Sequence, residues 1–398
     1  MKRHIHTLLL GSGTAQALQF LSILLLSRIY LPSDFGLLAR VQSIAMLLAI
    51  IATLQLHLTI PLSKSAAEAK VRADNVQAIC LLGFTIFFIP ALLFGKVTAF
   101  ALVLALFLGL TNTYNSYLVF DGRFSKISGF YVLRAIVIIT LQVVLALLGV
   151  NYGLIFGALI AEALSALYLR LTQLGAFQRF NKTQIRTSIE MAASMKSFSL
   201  YGTLQELISV SAFYAPLLLF SRNFDESTSG QYAMASRLIW APVVMLSGSI
   251  GQVLYHRLGK PDLTVNMDVV RDIAPRKEII IAIFFFCALS FYLQDTFLYF
   301  LGPRWSLASQ LLPLQLLWGA FFLLSTPFRV ICRVLHLQKY QLTVDAGMLA
   351  SFCLLFALSS FTPLHTMWCV VLIALGQNVT LGIIATRKVI SLQKRNYQ

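Results

Sequence analysis

Charge is what this 398-residue chain has least of: only 12% of its residues are Asp, Glu, Lys or Arg, against 58% hydrophobic. A soluble domain carries roughly 25% charged residues, so there is too little charge here to solvate a globular surface of this size. Acid is scarcer still, with 15 Asp and Glu against 31 Lys and Arg. The cysteines are few and odd in number (Cys80, Cys287, Cys332, Cys353 and Cys369), and none shows a CxxC or Cys/His metal spacing. They read as buried, reduced thiols rather than a disulfide framework. No Walker loop, GxSxG or HExxH motif is present, and no pair of carboxylates sits in an outer loop. A soluble enzyme, a disordered protein and a disulfide-rich secreted scaffold are therefore excluded, and no enzymatic activity is expected.

What the chain has in abundance is long apolar runs. A helix crossing a bilayer takes about 20 apolar residues. It must satisfy its own backbone hydrogen bonds, so the spans are helices. Runs such as Ala101 to Leu110 do not alternate as barrel strands do. The expected fold is an all-α polytopic membrane protein of about twelve transmembrane helices. They cover residues 6–30, 35–62, 75–94, 97–121, 127–149, 151–172, 192–221, 229–257, 277–298, 305–332, 340–361 and 364–386. The apolar start after Met1-Lys2-Arg3 has no small-residue cleavage site and reads as a permanent first helix.

Charge placement orients these spans. With the N-terminus inside, 23 of the 31 basic residues fall in cytoplasmic segments, and only Lys96, Arg222 and Arg304 lie in the opposite loops. Cytoplasmic loops of membrane proteins carry such an excess, so both termini are expected in the cytoplasm. The net charge of +16 then reflects topology and not nucleic-acid binding. The polar stretch 173–191 divides the chain into an N-terminal lobe, 1–172, and a C-terminal lobe, 192–398, of six helices each. A faint repeat supports the division: Ser27-Arg28 with Gly36 and Ala39 recurs as Ser221-Arg222 with Gly230 and Ala233. Gly149, Gly153, Gly157, Ala161 and Ser165 form a small-residue ridge suited to close helix packing. Pro90, Pro216, Pro242, Pro313 and Pro327 fall in or near spans, where static kinks are the expectation and bending during transport the alternative.

Ionisable residues inside the spans are the functional candidates, because each costs roughly 2.5–3.5 kcal/mol at mid-bilayer on insertion scales. Arg28, Arg40, Arg134, Arg237 and Arg329 stand against Glu162, Glu206 and Asp345, a positive surplus suited to an anionic cargo. Arg237 and Arg134 are too deep to snorkel comfortably and are expected to face the interior. Arg28 and Arg329, near span ends, are expected to reach the headgroups, with Arg28 kept as a cavity candidate; Arg40 is close enough to Asp34 to pair with it. Glu206, about mid-way along span 192–221, shares a face with Ser199, Gly202 and Ser209 and is the leading coupling-ion candidate. Span one carries a comparable stripe of Ser12, Gln16 and Gln19; interhelical hydrogen bonding is the alternative for both. Glu162, a second coupling candidate, is as readily a partner of Arg134, and Asp345 is a third. Near the inner end of span four, Asn112 and Asn115 can bond sugar hydroxyls and Tyr114 and Tyr117 can stack on sugar rings; an interfacial aromatic belt is the simpler account.

The segment Leu26-Ser27-Arg28-Ile29-Tyr30-Leu31-Pro32-Ser33-Asp34-Phe35-Gly36-Leu37-Leu38-Ala39 resembles the R-x-Y-x-P-x-D-F-G-x-x-A signature of bacterial polysaccharide flippases. These are the Wzx-type O-antigen transporters of the multidrug/oligosaccharidyl-lipid/polysaccharide exporter (MOP) superfamily. Thr53-Leu54-Gln55-Leu56 through Ile60-Pro61-Leu62 resembles the stretch that follows, and Gly230-Gln231-Tyr232-Ala233 and Leu301 to Ala308 are compatible. Where many relatives carry an Asp-Arg pair in the seventh span, this chain reads Phe213-Tyr214-Ala215-Pro216. The resemblance implies translocation of an undecaprenyl-diphosphate-linked oligosaccharide across the bacterial inner membrane by alternating access. It implies no cofactor, an ion gradient or membrane potential as driving force, and a polysaccharide polymerase and chain-length regulator as possible partners. A cation-coupled drug antiporter of the same superfamily and a membrane-embedded polymerase or glycosyltransferase are the alternatives.

Overall fold

The computed structural model describes residues 2–174, 182–258, 277–292, 294–335, 337–358 and 361–396. In chain order the helices are α1 (Lys2–Ile29), α2 (Pro32–Thr53), α3 (Ala66–Leu93), α4 (Lys96–Phe120), α5 (Phe124–Leu147), α6 (Gly153–Leu169) and α7 (Lys182–Ser194). They continue with α8 (Thr203–Asn223), α9 (Glu226–Leu258), α10 (Lys277–Tyr292), α11 (Gln294–Leu301), α12 (Ser306–Val334), α13 (Gln338–Leu358) and α14 (Pro363–Asn396). Among the described residues, ten helices are long and apolar enough to cross a membrane. Helix α1 and the pair α10 and α11 occupy the other two expected positions. The chain is an all-α polytopic membrane protein. It forms two compact units, Met1–Ser211 and Ala212–Gln398.

In the first unit, α1 packs on α5 and α2 on α4, while α4 also contacts α3 and α6. Helices α4 and α6 are its inner members, with 61% of each span buried, whereas α5 is peripheral at 17%. The small-residue ridge is what lets α5 and α6 approach. A Cβ added to Gly157 would stand 2.7 Å from Gln142 Cγ and 3.1 Å from its backbone nitrogen. Gly149, by contrast, lies outside α6 and ends α5 at φ 66°. Gly157→Ala is expected to destabilise the protein by about 1–3 kcal/mol through overpacking, read as a lower thermal midpoint in detergent. Gly129→Ala, where an added Cβ meets nothing within 4 Å, should leave the midpoint unchanged.

The signature segment has a local structural account. Tyr30 is buried and donates from its hydroxyl to the Gln142 carbonyl at 2.8 Å, linking α1 to α5. Pro32 stands at the first turn of α2, where its fixed φ suits a helix start. The Leu31 amide donates to Asp34 Oδ2 at 3.0 Å, satisfying the entrance to α2. Phe35 is fully buried beneath this turn. Helix α2 ends sooner than the span 35–62 because Leu54 (φ 47°) and Gln55 (φ 54°) adopt left-handed conformations. The chain then continues as a 3₁₀ segment, Leu56–Leu62. Leu56 and Ile60 of that segment are buried in a cluster with Ala73, Val76, Tyr114 and Leu169.

Two further departures from the sequence expectation concern polar stretches. Residues 173–191 are not simply a loop, because α7 begins at Lys182. Its Gln184, Thr187, Ser188 and Met191, at helical spacing on one face, meet α3: Gln184 Nε2 donates to the Asp74 carbonyl at 3.2 Å and the Ser188 hydroxyl to Asn75 Oδ1 at 3.1 Å. That face is polar, so hydropathy alone passes over it. The second stretch, 258–276, lies outside the described residues beyond Leu258. The cysteines are all free, as expected, but Cys353 is exposed and Cys369 half-buried.

In the second unit α12 is central, packed against α9, α10 and α14, with α13 on α14. Asp225 caps α9 by accepting from the Thr228 amide at 3.2 Å. The Thr228 hydroxyl, foremost, holds its carboxyl below the usual range. Phe213 and Tyr214 stand in an aromatic cluster: Phe213 lies edge-on to Trp240 at 4.8 Å, and Trp240 meets Trp318 at 4.8 Å and Phe322 at 5.5 Å. The indole of Trp240 donates to Gln315 Oε1 at 3.0 Å. Apolar ring packing thus surrounds Phe213 and Tyr214 of α8.

Candidate functional site

The interior charges divide by the company they keep. In the first unit, Arg134 on α5 is ion-paired through Nη2 to Glu162 Oε1 on α6, the pairing that their adjacent spans suggested. Glu162 is buried, and its second oxygen has no hydrogen-bond partner. A second ion pair was not legible in the sequence. Arg170, at the end of α6, donates from Nη1 to Asp74 Oδ1 on α3 at 2.6 Å. Arg170 is 0% exposed and Asp74 4%. Both residues sit at span ends and count as loop charges by hydropathy, and they are 96 positions apart. The α6 helix widens into a π-helical turn, Arg170–Leu174, starting at this arginine.

The remaining candidates of the first unit are spread out. Arg28 is exposed in the last turn of α1, where its charge suits the helix C-terminus. Arg40 on α2 is half-buried, and the Asp34 carboxylate is engaged at the entrance to α2. On α4, Asn112 is exposed, whereas Asn115 is half-buried with an unpartnered Oδ1. Tyr114 offers no face to a sugar and belongs to no interfacial belt. It is fully buried and donates to Gln77 Oε1 at 3.0 Å.

Glu206 is not at the middle of its span. A π-helical segment, Ser197–Gly202, precedes α8, so Glu206 lies in the first turn of α8 and is exposed. The π turn also breaks the register that would align Ser199 and Gly202 with it. The Ser199 hydroxyl instead donates to the Ala192 carbonyl at 2.7 Å.

In the second unit, Arg237 on α9 is half-buried, with Tyr214 as an electrostatic neighbour. Arg329 on α12 does not snorkel. Its Nε donates to Ser325 Oγ at 3.3 Å, its Nη2 to Asn378 Oδ1 on α14 at 3.1 Å, and its guanidinium carbon lies 4.8 Å from the Phe322 ring centroid. On α13, buried Asp345 accepts from Gln377 Nε2 at 2.6 Å. No group of three or more His, Cys, Asp or Glu side chains suited to a metal exists among the described residues.

A family model described as "Polysaccharide biosynthesis protein" matches residues 25–262, more than half of the chain. The chain belongs to this polysaccharide biosynthesis protein family. No curated protein matches it in sequence. Among solved structures, this family member is similar to a multidrug resistance MATE family transporter of the MOP superfamily in its outward-facing conformation. The TM-score is 0.60 and the identity 14%, over 99% of this chain and 97% of that one. It is also similar to a MOP superfamily transporter from Pyrococcus furiosus, described by a reverse polarity of its binding pocket, with TM-score 0.57 and 13% identity over 98% and 96% of the two chains. An inward-facing MATE family transporter matches with TM-score 0.54 and 13% identity over 92% and 96%. This family member therefore shares the all-α fold of those MOP-superfamily structures.

Proposed function

We propose that this protein is a flippase that moves an undecaprenyl-diphosphate-linked oligosaccharide, an O-antigen or related repeat unit, from the cytoplasmic to the periplasmic leaflet of a bacterial inner membrane. The observation that carries the reading is a polysaccharide-biosynthesis family match laid over a transporter fold. In the proposed cycle two lobes alternate access, arginines hold the diphosphate and polar side chains accommodate the sugar. Arg237 is the leading diphosphate ligand; Arg134, Arg40, Arg28, Asn112 and Asn115 are further cavity candidates. An ion gradient or the membrane potential drives net movement, with Glu206, Glu162 and Asp345 as coupling candidates. The basic surplus of the inner loops supports a cytoplasmic location for both termini.

A second reading, a cation-coupled drug antiporter, is favoured by the multidrug MATE transporters among the similar structures. It conflicts with the five arginines inside the spans, which repel a cationic cargo. Deletion of the gene separates the two. The flippase reading expects cells to lose the surface glycan and accumulate the complete repeat unit on its polyprenyl carrier, with unchanged sensitivity to cationic drugs. Unchanged glycan together with drug hypersensitivity would overturn it in favour of the antiporter.

A further inference from the structure

Four side chains of α7, spread over two turns from Gln184 to Met191, meet just two consecutive residues of α3. Gln184 donates to the Asp74 carbonyl, the Thr187 and Ser188 hydroxyls both donate to Asn75 Oδ1, and Asn75 Nδ2 donates in turn to Met191 Sδ at 3.8 Å. Helices lying side by side would spread these contacts over a matching length of each, about 10 Å. Here they converge on one point, so α7 crosses α3 steeply. Because α3 is long and apolar enough to cross a membrane, a helix laid across it runs along the membrane plane. The level of the crossing follows from α3 itself. Its residues 66–75 include Glu68, Lys70, Arg72 and Asp74, whereas 76–93 carry no charge. That uncharged stretch spans about 27 Å, close to the roughly 30 Å of a hydrocarbon core. Asp74 and Asn75 therefore stand where hydrocarbon gives way to headgroups. Exposed tyrosines on either side of α7 in the chain, Tyr168 near the end of α6 and Tyr201 just before α8, are the residue type that marks this boundary.

We propose that α7 is an interfacial helix, immersed along Ile185, Ile189 and Ala193 at the acyl boundary of one leaflet and bound through Arg186 and Lys196 to the phosphates of anionic lipids. The three apolar residues recur every fourth position on the side of α7 away from its α3 contacts, and Ile189 is 54% exposed. Arg186 and Lys196 are exposed, one turn before and two turns after Ile189. An apolar ridge edged by cations is the pattern of a helix lying in the membrane interface. Arg186 is ion-paired with Glu190 at 2.8 Å, but through Nε, so the two terminal nitrogens are not the ones engaged. An exposed pair of this kind holds weakly against competition. Lipids with net negative charge are favoured over zwitterionic ones because no choline group offsets their phosphate beside these cations. The inference is independent of what the protein carries. It gives the stretch that joins α6 to α8 two anchors, the polar face on α3 and the apolar ridge in lipid.

The test uses the full chain in nanodiscs, with Cys353 and Cys369, the two thiols that are not buried, replaced by Ser. A bimane fluorophore is attached through Ile189→Cys or, as a control on the polar side, through Thr183→Cys, an exposed position. Quenching is then compared between aqueous iodide, phosphatidylglycerol brominated on its acyl chains and phosphatidylcholine brominated likewise, the two lipids at equal mole fraction. The label at 189 should be quenched by brominated lipid and shielded from iodide, and the label at 183 the reverse. At 189, phosphatidylglycerol should be enriched about fivefold or more over phosphatidylcholine, the factor expected for one or more basic residues at a membrane surface. That enrichment should shrink in 0.5 M salt, a readout that needs no further variant. Arg186→Gln/Lys196→Gln should bring the two lipids to parity while leaving the label at 189 shielded from iodide. Iodide quenching at 189 equal to that at 183 would place α7 in water and overturn the proposal. Quenching at 189 by none of the three, as when a second copy or another protein covers the ridge, overturns it as well. So does equal quenching by the two lipids in the parent chain.

Discussion

Arg170→Met is expected to destabilise the folded protein by about 3–5 kcal/mol, the usual penalty for removing one partner of a buried ion pair. The large effect comes from what remains. Asp74 would stay buried between α3 and α6 with neither oxygen paired, since Oδ2 already lacks a hydrogen bond. The loss should spread to the α7 contact, because the backbone carbonyl of the same Asp74 receives Gln184. Thermal unfolding of the detergent-purified protein measures it. The double variant Asp74→Leu/Arg170→Met removes both charges and should recover most of the stability, as buried pairs replaced by apolar side chains commonly do. An Arg170→Met protein with the wild-type midpoint would mean that water reaches this pair.

Arg237→Ala is expected to abolish export, and Arg237→Lys to retain part of it, at equal protein level. Lysine keeps the charge but loses the planar fork that grips two oxygens of one phosphate group. The arginine sits one turn from Trp240 on α9, whose ring is locked by Phe213, Trp318 and Gln315. The backbone beneath it is therefore well anchored, and a loss of transport would report on the side chain itself. The measurement is surface glycan per unit of membrane protein in a complemented deletion strain. Normal export by Arg237→Ala would remove this arginine from the diphosphate site.

Helix identity was legible because hydropathy is a property of linear segments, and among the described residues the long apolar runs are helical. What stayed illegible depends on azimuth and partners. Arg329 was placed at the headgroups from its depth along α12 alone, yet its direction is set by Ser325 one turn earlier and by Asn378 on another helix. Glu206 was placed mid-span because the π-helical residues 197–202 are as apolar as the helix they precede. The Asp74–Arg170 pair joins residues at the ends of two spans, where a charge carries no signal by itself. Only Arg134 and Glu162, deep in consecutive helices, announced each other.

The turn between α1 and α2 bears on how cargo specificity can change. Tyr30, Pro32, Asp34 and Phe35 are spent on a hydroxyl-to-carbonyl tie, a helix start, an amide cap and a buried ring. None of these tasks requires a sugar. A stretch occupied in this way acts as a joint of the scaffold. Grafting it between two such proteins should transfer no preference for one glycan over another. On the flippase proposal, the residues that tell one repeat unit from the next are expected where polar groups are left unengaged by the fold, as the Asn115 carbonyl oxygen is on α4, so specificity would diverge there while the joint stays the same.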